Sequence, residues 1–259
     1  MIKLISEVEA EMQNEAEIEI EEELYGKTFM SSQSFPLPIY HTAIYPNLYQ
    51  DEKWFHFFSS SWVNNILSLF CREKLINSFI EEIYPKSKVL QMGVCFGDEI
   101  KAVAEQVGLK GRFDVIDVNN TQLNLAQHAL GDDYPQVKFY HYNAETPLPE
   151  KYDTIICFML LHELPIVSKM NVINNALNSI KEDGKVIFVD YGKPNALHPL
   201  AYFVRMFNRL YQPFAEKLWD REIASFAEKD LNFNWKKQKF LGGLYQRLIV
   251  TRKNKEQII

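Results

Sequence analysis

From Lys88 onward the chain switches repeatedly between short apolar runs and longer stretches with helical spacing. The runs Lys88–Met92, Phe113–Asp117, Val137–His141, Tyr152–Phe158 and Lys185–Val189 read as five strands. The fourth is almost wholly apolar after Asp153, as a parallel strand buried on both faces should be. Glu99–Val107, Thr121–Leu130 and Ile166–Ile180 read as helices between them, with Gly131-Asp132-Asp133 and Asp183-Gly184 as turns. A helix over Arg72–Ile83 leads through Pro85 into the first strand. Strand and helix in alternation predict right-handed crossovers, which bring the strand ends to one edge of a parallel sheet. Gln91, Asp117, Asn143, His162, Glu163 and Asp190 are expected to converge there.

The pattern changes on both flanks. Pro194, Pro199 and Pro213 bracket two apolar helical pieces, Leu200–Phe207 and Phe214–Phe226, within an insertion spanning 194–232. Phe233–Leu241 and Leu244–Thr251, on either side of Gly242-Gly243, read as an antiparallel hairpin closing one edge of the sheet. At the other end, nine glutamates between Glu7 and Glu23 form an acidic arm, to which no chemistry is assigned. Phe35-Pro36-Leu37-Pro38 is a stiff extended piece, and the aromatic run Tyr45–Phe70 predicts helices that roof the site. The expected division is an arm and aromatic helical cap over 1–84 and an α/β domain over 85–259.

Composition narrows the class. At 259 residues and 47% apolar content the chain can bury a sizeable core. A net charge of -6 gives no support to non-specific nucleic-acid binding. Cys71, Cys95 and Cys157 are too widely spaced for a zinc motif and fit reduced core thiols. With no run of eighteen apolar residues and no basic-then-apolar leader, a cytoplasmic protein with peripheral membrane contact is expected. Eighteen Phe, thirteen Tyr and four Trp offer walls for a flat or hydrophobic small-molecule substrate; Phe203, Phe207, Tyr211, Phe214 and Trp219 are the candidates in the insertion.

The chemistry concentrates between Lys88 and Asp117. A strand, a turn with Gly93 and Gly97, a helix, a second strand and a terminal carboxylate are the parts that seat an adenine nucleoside. The two glycines stand four apart, which is not the dinucleotide fingerprint and argues for a single nucleoside. His162 is the candidate general base, since its ordinary pKa lies near neutrality. Glu163 is placed to orient it, bind metal or cap the following helix. Asp190 and Tyr191 end the fifth strand at the same edge. His162, Glu163, Asp190 and His198 would together suit manganese or iron.

These pieces resemble the class I S-adenosyl-L-methionine (SAM)-dependent methyltransferases. The matching stretches are VLQMGVCFGD (89–98), DVIDVN (114–119), YNAETPLP (142–149), YDTIICFMLLHELP (152–165) and DGKVIFVDYG (183–192). The resemblance implies an α/β, Rossmann-like class I methyltransferase fold: a mainly parallel seven-stranded sheet, a C-terminal antiparallel hairpin and a helical substrate cap. It further implies that Gly93 and Gly97 lie against the methionine and ribose of SAM. Asp117, with Val118 beside it, would hold the ribose; Asn143 and Ala144 would border the adenine; Leu160 and Leu161 would flank the cofactor. Gln91 stands where the family has an acid, and Cys95 where it has a glycine.

LQMGVCFGD, LLHELP, VDYGKPNALHPL and YQPFAEKLW are similar to a narrower group, the rhodoquinone-biosynthesis proteins. That likeness implies metal-assisted amination of ubiquinone with Mn2+, its attacking amine freed by the loss of the acid at position 91. Conventional methylation of a quinone or other small molecule is the alternative.

Overall fold

The computed structural model describes residue 30 and residues 35–40, 70–95, 98–195, 198–228 and 233–253. Seven strands form one sheet: β1 (Lys88–Met92), β2 (Arg112–Asp117), β3 (Val137–His141), β4 (Tyr152–Phe158), β5 (Ile180–Tyr191), β6 (Phe233–Phe240) and β7 (Tyr245–Arg252). Their order is β3-β2-β1-β4-β5-β7-β6. The first five are parallel neighbours, while β7 runs antiparallel between β5 and β6. This is the Rossmann-like class I methyltransferase fold that the motifs implied, and strand order reverses between β1 and β4, where such sheets bind ligands.

Local patterning explains the layers. Ile155, Ile156, Cys157 and Phe158 of β4 are buried on both faces of the sheet. The helix α1 (Arg72–Ile80) precedes β1, and α2 (Asp98–Val107) buries Ile100, Val103, Ala104 and Val107 at the spacing of one helical face. In α3 (Asn120–Leu130) the Asn119 carboxamide caps the first turn, accepting from Thr121 N at 3.0 Å and Gln122 N at 3.3 Å. The helix α4 (Ile166–Asn178) follows a short 3-10 turn at Leu161–Glu163.

Three elements depart from the sequence pattern. Asp183-Gly184 lies inside β5, which starts at Ile180 and shifts register against β4 between Tyr152 and Thr154. Lacking a side chain, Gly184 allows this: a Cβ there would come within 2.9 Å of Lys181 N and Tyr152 O. Of the insertion, α5 (Ala201–Tyr211) is longer than its apolar core suggested. The piece after Pro213 breaks into α6 (Lys217–Asp220) and a 3-10 turn at Ile223–Phe226. The acidic arm over Glu7–Glu23 and the run Tyr45–Leu69 lie outside the described residues.

Candidate active site

At the carboxyl ends of β1, β2 and β4 an open hollow is lined by Gly93, Asp117, Val118, Asn143, Ala144 and Leu160, together with Tyr40 and Glu145. Gly93 holds φ +84°, and a Cβ on it would stand 3.1 Å from Leu160 Cδ1. The turn thus needs glycine both for its backbone and to keep the hollow open. Gly97 lies outside the described residues.

Backbone amides hold Asp117 in place. Its Oδ2 accepts from Val94 N at 2.8 Å and its Oδ1 from Asn119 N at 2.7 Å, which leaves each oxygen a lone pair for a further donor. Burial raises its pKa to about 6, against the lowering pull of those two amides. Asn143 Oδ1 accepts from Glu145 N at 2.9 Å, and Ala144 O accepts from Asn175 Nδ2 at 2.9 Å. This side of the hollow is held open by the chain itself.

Gln91 is fully buried beneath the turn. Its Nε2 donates to Gly93 O at 3.0 Å and to Glu99 Oε1 at 3.2 Å. Glu99 also accepts from Cys95 N at 3.2 Å and pairs with Arg72 of α1 at 2.8 Å. A carboxylate eight residues later thus stands against Gln91, its oxygens taken by Arg72, Gln91 and the Cys95 amide. Neither Arg72 nor Glu99 stood out in the sequence, because two helix residues 27 apart leave no local pattern. Burial pushes the Cys95 thiol up to about 12, more than Arg72 draws it down.

Two leucines that line the hollow, Leu160 and Leu164, flank the turn carrying His162. His162 and Asp190 are both buried, with Nδ1 and Oδ1 3.0 Å apart. Asp190 Oδ2 accepts from His162 N at 3.2 Å, and Oδ1 also accepts from Tyr191 N at 2.7 Å. Burial favours the neutral imidazole, yet Asp190 prevails and raises the His162 pKa. His162 Nε2 lies 3.8 Å from Glu163 Oε1, and the Tyr191 ring meets the imidazole edge-on at 4.9 Å between centroids. Burial holds the Tyr191 phenol protonated.

The metal set does not form. Asp190 spends its oxygens on His162 and on the backbone, and His162 spends Nδ1 on Asp190. His198 packs on Gly242, where a Cβ would come within 2.3 Å of its Cδ2, and its Nδ1 accepts from Leu200 N at 3.2 Å. Among the described residues no three His, Cys, Asp or Glu side chains are grouped to hold a metal.

Residues 89–184 match the family described as Methyltransferase domain. The ubiquinone/menaquinone biosynthesis C-methyltransferase UbiE of Vibrio cholerae is 28% identical over 121 residues, which span 45% of this chain and 45% of that protein. The chain thus spans less than half the length of this curated relative. Human N-acetylserotonin methyltransferase, solved with SAM, superposes with a TM-score of 0.55 at 16% identity, over 85% of this chain and 61% of that one. An O-methyltransferase family protein from Burkholderia thailandensis does so with a TM-score of 0.58 at 13% identity, over 93% and 70%. These matches identify an enzyme of the SAM-dependent methyltransferase fold.

Metal-assisted amination of ubiquinone is overturned on two counts. Among the described residues no three of the proposed ligands are grouped to hold a metal, and the matching curated relatives are C-methyltransferases.

Proposed function

We propose that this chain is a conventional SAM-dependent methyltransferase acting on a hydroxylated aromatic small molecule, a phenol or a reduced quinone, with His162 as general base. The buried His162–Asp190 pair beside the glycine-turn hollow carries this reading. The residues around the hollow fit the cofactor: Gly93 leaves room that a Cβ would fill, and Asp117 offers lone pairs to two ribose hydroxyls. Asn143 and Ala144 border the adenine, Val118 and Leu160 flank it, and Gln91 with Glu99 backs the methionine end. When bound, SAM supplies an electrophilic methyl group.

The chain's own part is proton handling. Asp190 accepts from Nδ1–H and so fixes the tautomer whose Nε2 lone pair is free to take a proton. His162 Nε2 removes the hydroxyl proton of the acceptor, and the resulting negative charge sits on oxygen or on the conjugated ring carbon beside it. With SAM bound, that oxygen or carbon would take the methyl as its bond to the sulfonium sulfur breaks, with S-adenosylhomocysteine as the by-product. Asp190 stabilises the imidazolium until water carries the proton away. Glu163 adds a second negative group on the Nε2 side, and Tyr191 forms a wall. The partial likeness to a quinone C-methyltransferase supports a quinol among the acceptors.

The test is incubation with SAM and a panel of phenols, catechols and benzoquinols, followed by mass analysis. A product one CH2 heavier, together with S-adenosylhomocysteine, is expected, and His162→Gln should lose it. Bound SAM with every acceptor unchanged would overturn the reading.

A further inference from the structure

The hollow's rim includes one residue from far upstream. Tyr40 belongs to a short helical turn following the proline-rich piece, and it lines the same space as Gly93, Asp117 and Ala144. Its hydroxyl donates to Glu145 Oε1 at 3.3 Å and also faces Ser168 of α4. Phe35, at the start of the same segment, packs edge-on against Tyr142, with ring centroids 5.0 Å apart. Residues 35–40 are therefore fixed at one end to the loop after β3 and at the other to the rim above it.

The contacts continue around the mouth in a closed circuit. Glu145 accepts from Asn171 Nδ2 of α4 at 3.2 Å through its other oxygen. Two residues earlier, Lys169 donates to Phe214 O of the cap at 3.0 Å, and to Leu164 O. Phe214 in turn meets the Tyr40 ring edge-on, at 6.4 Å between centroids. Strap, loop, α4 and cap are thus joined through Tyr40, the member of this circuit that lines the hollow from the strap.

We infer that Tyr40 is a cofactor-clamping residue: its ring closes the open side of the nucleoside hollow, and through Phe214 it couples cofactor binding to the acceptor cap. The inference rests on the assignment of the hollow to SAM. An aromatic ring at the rim buries a bound nucleoside face, while the Glu145 bond sets the ring's angle. Phe214 does not line the hollow; its ring meets the Tyr40 ring, and its other link runs through Lys169 to Leu164, so the double variant with Tyr40 tells the two routes apart.

Calorimetry of the full chain with SAM and with S-adenosylhomocysteine tests this without turnover. Tyr40→Ala is expected to weaken both about tenfold or more, and Tyr40→Phe to recover most of the loss. Phe214→Ala should weaken binding about threefold, and the double variant should be no weaker than Tyr40→Ala alone, the signature of coupled residues. Melting of each variant without cofactor separates a loose fold from a lost clamp. Wild-type affinity in Tyr40→Ala, or independent effects of the two substitutions, would overturn the clamp. Absence of binding by the wild-type chain would instead overturn the SAM assignment.

Discussion

The two sides of the crevice are built differently. On the nucleoside side most polar groups already have backbone partners: Asp117 holds two amides, Asn119 caps a helix, Asn143 closes a turn. Among the described residues, the cap holds more of its buried polar atoms without partners: Asn208 is 0% exposed with neither carboxamide atom bonded, and Gln212 Oε1 and Trp219 Nε1 are in the same state, whereas the nucleoside side has Gln91 Oε1 and the Gln122 carboxamide. On the outer face of α5, Tyr202 and Phe203 are 74% and 62% exposed. A side that binds one invariant cofactor can be fixed in advance by the main chain.

The contrast can be broken experimentally. The largest effect is expected where the two sides meet, at His162. His162→Ala or Asp190→Asn should lower kcat by roughly 10²–10⁴, the usual worth of a positioned base and its orienting partner. SAM affinity should stay near wild type, and single-turnover kinetics with parallel calorimetry would show a large loss of binding if the pair were merely structural.

Next comes Gly93→Ala. A positive φ costs an L-residue about 1–2 kcal/mol, and the added Cβ would crowd Leu160. Weakening of SAM binding by roughly tenfold or more is expected from that cost, read as Kd. Adding Leu160→Ala should restore space but leave the backbone term.

A pH titration sharpens the same side. With its pKa raised to about 6 by burial, Asp117 is a carboxylate at neutral pH and takes up a proton as pH falls through that value. SAM binding should weaken there, approaching about tenfold per pH unit below it. The sign for folding is the reverse. A carboxyl whose folded pKa exceeds its unfolded value favours the folded chain at low pH, and that stability is lost as pH rises through about 6. Asp117→Asn should flatten both dependences, which calorimetry and pH-dependent melting would reveal.

The smallest effects oppose each other in sign. Asn119→Ala removes a helix cap and should cost about 1 kcal/mol. Asn208→Leu removes a buried, unpartnered amide and should be neutral or stabilising by about 1 kcal/mol. Denaturant unfolding that found both substitutions equally damaging would erase the distinction between the two sides.

Much of the hollow's lining was legible because its placement is local. Gly93 follows a strand and precedes a helix, Asp117 ends the next strand, and Asn143 begins a turn, so each position follows from neighbours in the chain. Arg72–Glu99 and Tyr40–Glu145 were not legible. Their members are 27 and 105 residues apart, and no periodicity links them. The cap offered a clue of another kind: Asn208 and Gln212 stand four apart, on a different stripe of the helix from Arg205 and Arg209. The metal reading failed because residue types alone do not say which lone pairs are already taken.

Alternating apolar runs and helical segments, with glycine and a carboxylate at the right ends, were enough to specify the sheet and its binding edge, since strand burial and crossover handedness follow from pattern and chirality. How polar atoms on distant segments divide their hydrogen bonds is settled only when those segments pack. The folded chain committed Asp190 to His162, set Glu99 between Arg72 and Gln91, and brought Tyr40 to the hollow.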